Sequence, residues 1–562
     1  MTKKDVQNNF ELKQYGKYIV IFASILLPIL LYKGSASVAS FILIGIIDIY
    51  ACIKKRISYE INNKYLLISF AFSLLVTICN YDIINIFNGL LIFGCSFILF
   101  YVSFEYFMEV SLKKTKRDKN EIFYFSFVTI FLTYVIYLFL FVYPGTFSPD
   151  FYAHLDEIYY GTYTNKHPYV YVQFLRLFLN VFNYIFKGYD KAVILFLVFQ
   201  CLIGALVFAY GITSIRNTKY FLPTYLAYVL LLYHESYATT LVKDTLFIYL
   251  LVLMIVSLYK IITNQDNLKL NYFIFSLAMF LMCLCRHNGV LLLVGLLIYL
   301  LVAYRDKYLI ILVSVVTVVV LIIDYPLASY LNLEGLDKTE TITFTSQQIA
   351  RTVIENDAQL EDPRILDILS KNEWESYYIP DYADYLKFIL RKGGYVRDNF
   401  SEYLDIWFKN GLRHPWTYTK AFIDTSKYYY YAGYKAQPTL QVNTKFYTVM
   451  NYDRPGTDGS GFKYSYLGEL FPSFMSARLP NNVLIKAYLK LDVLHAVGLH
   501  VWMMWFCLLK GIIQKRKETI LIIPLLVLSI SLIFAPCPEF RYIYALFASL
   551  PILVPIFVQE KQ

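Results

Sequence analysis

The chain has 562 residues, 58% of them hydrophobic and only 16% charged, with a mean hydropathy of +0.50. A soluble chain carries about a quarter charged residues, so composition excludes an ordinary soluble enzyme. The formal net charge of +10 would elsewhere suggest nucleic acid; here Lys and Arg sit in short loops between apolar runs, as the positive-inside rule requires, no basic groove-reading motif occurs, and no nucleic-acid partner is expected.

Fourteen apolar runs predict membrane helices, at 18–32, 36–53, 64–79, 84–107, 122–143, 191–213, 220–233, 245–262, 270–284, 289–304, 308–324, 491–509, 519–534 and 542–558. The first is read as an uncleaved anchor, because the polar, basic start of the chain has no small-residue cleavage site. With the N-terminus in the cytoplasm, the basic clusters at 54–56, 113–119, 216–219, 260–269, 305–307 and 510–517 all fall on one side. The expectation is a multi-pass protein of the cell membrane with both termini cytoplasmic. It divides into a four-span module (1–121), a membrane core (122–324) with an outer loop at 144–190, a mostly helical extracytoplasmic loop domain (325–490) and a three-span end (491–562).

The opposite face receives segments 148–157, 165–168, 234–244, 286–289, 325–490 and 536–541. Random placement would scatter these polar stretches over both faces, so their convergence predicts one extracytoplasmic site. The loop 325–490 is too polar to span; it carries helical patterns at 365–370, 383–392 and 400–410 and a turn-rich stretch at 451–461. Its tyrosine-rich stretch, 427–434, is expected at the membrane interface, where amphipathic rings prefer to sit.

In the first outer loop, Ser148-Pro149-Asp150 reads as a helix start, with Ser148 as N-cap, Pro149 at the first helical position and Asp150 in the first turn. Asp150, His154 and Glu157 then share one face and Asp156 points elsewhere. Such a face suits a general base or a divalent cation, against the plainer reading of a solvated helix face. Pro168 starts a second helix over 169–186, whose single polar stripe of Gln173, Arg176, Asn180 and Asn183 fits a helix lying in the interface. Lys166 and His167, just before it, suit a phosphate or a sugar hydroxyl; simple snorkelling is the alternative for Lys166.

Further ionisable groups sit at the outer ends of spans: Lys243 and Asp244, Arg286 with His287 and Asn288, and Glu539 with Arg541. Charges at membrane depth line cavities or pair with one another. The forked guanidinium of Arg286 or Arg541 fits a phosphate; pairing of Lys243 with Asp244, or of Arg541 with Glu539, is the structural alternative. In the large loop, Gln347, Gln348 and Arg351 fall on one predicted helix and suit a saccharide or phosphate, or merely cap a surface helix. The eight cysteines show no metal-type spacing and the segment 325–490 has none, so neither a disulfide framework nor a zinc site is indicated.

The stretches PGTFSPD (144–150), NKHPYVY (165–171), LVKDTLF (241–247), CRHNG (285–289), SQQIART (346–352), HPWTYTKAF (414–422) with Trp407, and PEFRY (538–542) together resemble the GT-C superfamily of membrane glycosyltransferases. Within it, the chain looks like an uncharacterised bacterial membrane family. The resemblance runs from about residue 122 to the end and leaves the first four spans outside. It implies a polyprenyl-phosphate-linked sugar donor, a glycan or lipid acceptor, and inversion at the anomeric carbon. Asp150 would be the base, with Arg286, Arg541 or Lys243 on the departing lipid phosphate. Many relatives carry adjacent acidic residues in this loop; here Phe151 follows Asp150 and the adjacent pair is Asp156–Glu157, which leaves the base open between them. No cofactor is required by this chemistry, and a divalent cation is an open option. A transporter or flippase of lipid-linked saccharides, a polymerase or ligase using the same carriers, and an inactive scaffold are the competing readings.

Overall fold

A computed structural model describes residues 3–32, 38–54, 62–81, 85–109, 119–142, 145–215, 218–333, 338–369, 374–434, 488, 490–534 and 538–559. The predicted turn-rich stretch 451–461 lies outside these residues. Among the described residues the regular structure is helical apart from two two-residue strands and isolated bridge residues such as the pair Ile379 and Tyr382.

The helices in chain order are α1 (Lys3–Tyr32), α2 (Ala39–Ile53), α3 (Asn63–Cys79), α4 (Ile86–Glu109) and α5 (Lys119–Phe141). Strand β1 (Thr146–Phe147) leads into α6 (Pro149–Tyr160), followed by α7 (Tyr169–Phe186), α8 (Tyr189–Ser214), α9 (Phe221–Leu230) and α10 (Tyr233–Ala238). Strand β2 (Thr240–Leu241) opens onto α11 (Lys243–Ile262), α12 (Leu268–Cys285), α13 (Asn288–Tyr299) and α14 (Lys307–Tyr330). Shorter helices follow from α15 (Thr343–Asn356) to Pro415–Ser426, and the chain ends in helices Val497–Ile513, Ile523–Ile533 and Phe540–Val558.

The described part of each of the fourteen apolar runs is thus mainly helical. In hydrocarbon a backbone must pair its own polar groups, and a helix does so within one segment. Among the described residues seven helices are long and apolar enough to cross a membrane: α4, α5, most of α8, α11, α12, α14 and Phe540–Val558. Others are shorter apolar helices; the run at 220–233 breaks into the ten-residue α9 and the separate α10.

Three buried cores form. The largest joins α5 to α14 with the last three helices, and includes Tyr134, Phe208, Met254, Leu293 and Tyr544. A second lies among α1 to α4 and takes in Tyr431 and Trp502. A third is confined to residues 342–406 and centres on Ile349, Trp374, Leu386 and Tyr403. The stretch expected at the interface is instead an internal joint: Tyr428 and Tyr429 pack in the first core and Tyr431 in the second. Directional bonds reinforce it. Asn80 Nδ2 donates to the Tyr431 hydroxyl at 2.6 Å, and Trp502 Nε1 to the Tyr430 carbonyl at 2.8 Å.

Strands β1 and β2 are parallel, with Thr146 opposite Thr240 and Phe147 opposite Leu241. Gly145, which feeds β1, has φ +133°, and a Cβ there would meet Leu197 Cδ1 at 2.0 Å. Only glycine takes that backbone without strain. Gly145→Ala should therefore cost roughly 2–4 kcal/mol, strain and overpacking together. A fall in melting temperature of the detergent-solubilised protein would register it; an unchanged melt would contradict this account of β1.

Candidate functional site

The β1–β2 pair fixes the site from below. Thr146 N donates to Thr239 O at 3.0 Å, Ser148 Oγ donates to Leu241 O at 3.1 Å, and the Thr146 and Thr240 hydroxyls are hydrogen-bonded. Inside α8, Gln200 Nε2 reaches the carbonyls of Tyr237, Ala238 and Thr240 at 3.1, 3.0 and 2.9 Å. This buried amide adds donors to a non-helical turn whose carbonyls also accept from Thr245 Oγ1, Cys201 Sγ and Val242 N.

Helix α6 starts as its sequence predicts. Ser148 caps it by accepting from Phe151 N at 3.2 Å, Pro149 lies in the first turn, and Gly161 closes it in the left-handed region at φ 68°. Asp150 is held toward α11, where Lys243 Nζ lies 2.8 Å from its Oδ2. Arg541 Nη1, at the start of the last helix, lies 3.3 Å from the same oxygen. Lys243 Nζ also donates to His167 Nδ1 at 3.0 Å, which places that ring's proton on Nε2. His154 packs edge-on against His167, with ring centres 4.5 Å apart, and against Tyr171.

A second pair stands beside the first. Arg286 Nη1 lies 3.2 Å from Asp244 Oδ1, and its guanidinium lies 4.9 Å from the Tyr542 ring. Arg541 pairs with Glu539, donates to the Tyr542 hydroxyl at 2.7 Å and stacks on the same ring at 4.7 Å. Lys243 pairs with Asp150 rather than with adjacent Asp244, because consecutive helical side chains diverge by about 100°. Three cations and three carboxylates therefore meet in one cluster.

Burial alone would raise the Asp150 carboxyl, but Lys243 and Arg541 outweigh it and hold it well below the usual carboxylate range. Burial, then the charge of Lys243, pushes both imidazoles down, His167 to about 3, so both stay neutral at neutral pH. Glu157 turns from this cluster to accept from Thr164 Oγ1 at 2.6 Å, and burial raises its carboxyl. The side chain of Asp156 lies outside the described residues.

The remaining predicted residues lie elsewhere or make other contacts. Lys166 is exposed, and Asn288 is exposed at the start of α13. His287 Nδ1 lies 3.4 Å from Asp324 Oδ2 on α14. On α15, Gln347 Nε2 donates to Tyr382 O at 3.3 Å; Gln348 donates to Tyr418 O at 3.2 Å and accepts from Trp407 Nε1 at 2.8 Å. Arg351 forms its own cluster, 2.7 Å from Glu355, 2.5 Å from Asp424 and 3.2 Å from the Tyr81 hydroxyl. Among the described residues no three His, Cys, Asp or Glu side chains are grouped to hold a metal ion.

A family model described as a family of unknown function, DUF6020, matches residues 156–562. The chain belongs to this family. The DUF6020 match takes in His167, Lys243, Arg286 and Arg541, and begins just after Asp150. No curated protein and no solved structure matches the chain.

Sequence reading missed Gln200, Tyr542 and Glu235. A lone glutamine in the apolar run VFQCL is the signal for the first. Glu235 lies within a polar segment already marked, yet is buried, and neither of its carboxylate oxygens has a hydrogen-bond partner among the described residues.

Two measurements test this geometry. Gln200→Leu removes the amide shared by three buried carbonyls, which keep only Thr245 Oγ1, Cys201 Sγ and Val242 N as donors, and should destabilise by roughly 1–2 kcal/mol, read as a lowered melting temperature. Asp150→Asn leaves Lys243 and Arg541 short of a counter-charge and should cost about 3 kcal/mol at pH 7. Because folding depresses the Asp150 carboxyl, its contribution is complete above the unfolded value of about 4. It is lost as pH falls through the lower folded value. Melts of wild type and variant should therefore differ at neutral pH and converge in strong acid.

Proposed function

We propose that the chain is a membrane glycosyltransferase of GT-C type, moving a sugar from a polyprenyl-phosphate donor to a glycan or lipid acceptor at an extracytoplasmic site. The observation that carries this reading is the meeting of one carboxylate, Asp150, with two cations, Lys243 and Arg541, from three distant stretches of chain. A base beside two anion-binding groups is what transfer from a sugar phosphate needs.

The acceptor hydroxyl oxygen bonds to the anomeric carbon as the bond from that carbon to the phosphate oxygen breaks. The hydroxyl proton passes to Asp150. The electron pair leaves with the lipid phosphate, held by Arg541 and Lys243, with Arg286 next to them. Without substrate, Asp150 is a weak base because both cations hold its charge. A phosphate that draws those cations to itself restores the basicity of the carboxylate. The donor thus activates the base that consumes it.

Glu235 favours a second reading. A buried ionisable side chain with no hydrogen-bond partner among the described residues suits an ion or proton path, and so a transporter or flippase of lipid-linked saccharides.

The test is sugar transfer in membranes, from a panel of polyprenyl-phosphate sugars to a native membrane extract, scaled to folded protein. Asp150→Asn should lose about 10²–10⁴-fold in rate. Loss only in the double variant Asp156→Asn/Glu157→Gln would move the base to that pair. Movement of lipid-linked saccharide across the bilayer without transfer would favour the second reading.

A further inference from the structure

The helix Phe400–Arg413 has two apolar faces. One buries Tyr403 and Ile406 in the third core. The other carries Leu404, Phe408 and Leu412, four residues apart and hence in one column, at 41, 58 and 68% exposure. Trp416 follows at the start of the next helix and is 59% exposed. Large apolar side chains so aligned and uncovered mark a contact surface.

Beside the column stands the apolar helix α3, reached through Trp416. Trp416 packs edge-on against Tyr81, with ring centres 6.3 Å apart. Tyr81 stands just past the end of α3, an apolar helix whose Leu67, Phe70, Leu74 and Ile78 are exposed along its length. Apolar side chains thus run along α3, through the Tyr81–Trp416 pair, and on to Leu412, Phe408 and Leu404. Tyrosine and tryptophan are the residues enriched where a bilayer meets water.

We propose that the helix Phe400–Arg413 lies on the bilayer surface and inserts Leu404, Phe408 and Leu412 at the boundary between headgroups and acyl chains. The polar residues beside the column are already neutralised: Lys409 lies 2.7 Å from Asp405, and Arg413 lies 3.4 Å from Glu361. Apolar burial, not attraction to anionic lipid, therefore holds the helix down. The contact tethers the outer helical layer to the membrane at a point separate from the spans. It does not depend on the transfer reading and holds equally for a transporter.

The seven described cysteines are buried, so Phe408→Cys or Leu412→Cys in a Cys537→Ser background gives one addressable thiol. Each is labelled with an environment-sensitive fluorophore in phosphatidylcholine nanodiscs containing lipids with a nitroxide near the headgroup. Arg397→Cys, at a side chain 60% exposed, is the control. The nitroxide lipid should remove about half or more of the emission at 408 and 412, and little at 397, as shallow insertion requires. Adding phosphatidylglycerol should not change the result. Emission at 408 and 412 no more quenched than at 397 would overturn the proposal. So would a cross-link at 408 between two copies, which would assign the column to self-association. A label shielded from water yet unquenched would mean that another part of the chain covers it.

Discussion

Two strands of two residues each hold the site together. Between α5 and α6, and again between α10 and α11, the chain leaves helical geometry among buried side chains, where an unpaired peptide group costs several kcal/mol. The two breaks answer each other through the Thr146–Thr240 bridge, and Gln200 adds donors to the carbonyls of the second. This pairing sets the first turn of α6 beside the first turn of α11. Asp150 and Lys243 are neighbours because their two breaks are neighbours.

Charge then organises what the backbone has placed. Each carboxylate in the cluster holds a cation, and each arginine also lies against the Tyr542 ring. The arrangement is stable without a ligand, yet every cation in it is held by a partner that an incoming anion could replace. Neutral His167 accepts from Lys243 and adds no positive charge, so the anion-binding strength stays with the lysine and the two arginines.

Local features of this site were legible in the sequence. The cap of α6 follows from three consecutive residues, and the start of α7 from one proline. The set Asp150, His167, Lys243, Arg286 and Arg541 was also legible, since a topological argument collects polar loops on one face. The pairing within the set was not. Lys243 chooses Asp150, 93 residues away, over its immediate neighbour, because helix geometry turns the neighbour aside. The tyrosine-rich stretch read as an interface belt because composition does not distinguish an aromatic ring facing lipid from one wedged between two helix groups. Glu235 escaped notice because burial is a property of packing, not of the six-residue helix that carries it.

The joint around Tyr431 bears on how separable the first four helices are. The family match begins beyond them, as for an appended module. Their packing contradicts easy detachment. Trp502 sits among Phe41, Phe72 and Phe100, and Tyr81 donates to Asp424 at 2.7 Å in the same network as Arg351. A version of this protein cut at residue 119 would turn a buried tryptophan toward lipid and remove one of three groups that hold Asp424. The four helices are better regarded as a splint than as a cassette: a tilt of α3 would be felt, through two aromatic side chains, in the helices of residues 343–426.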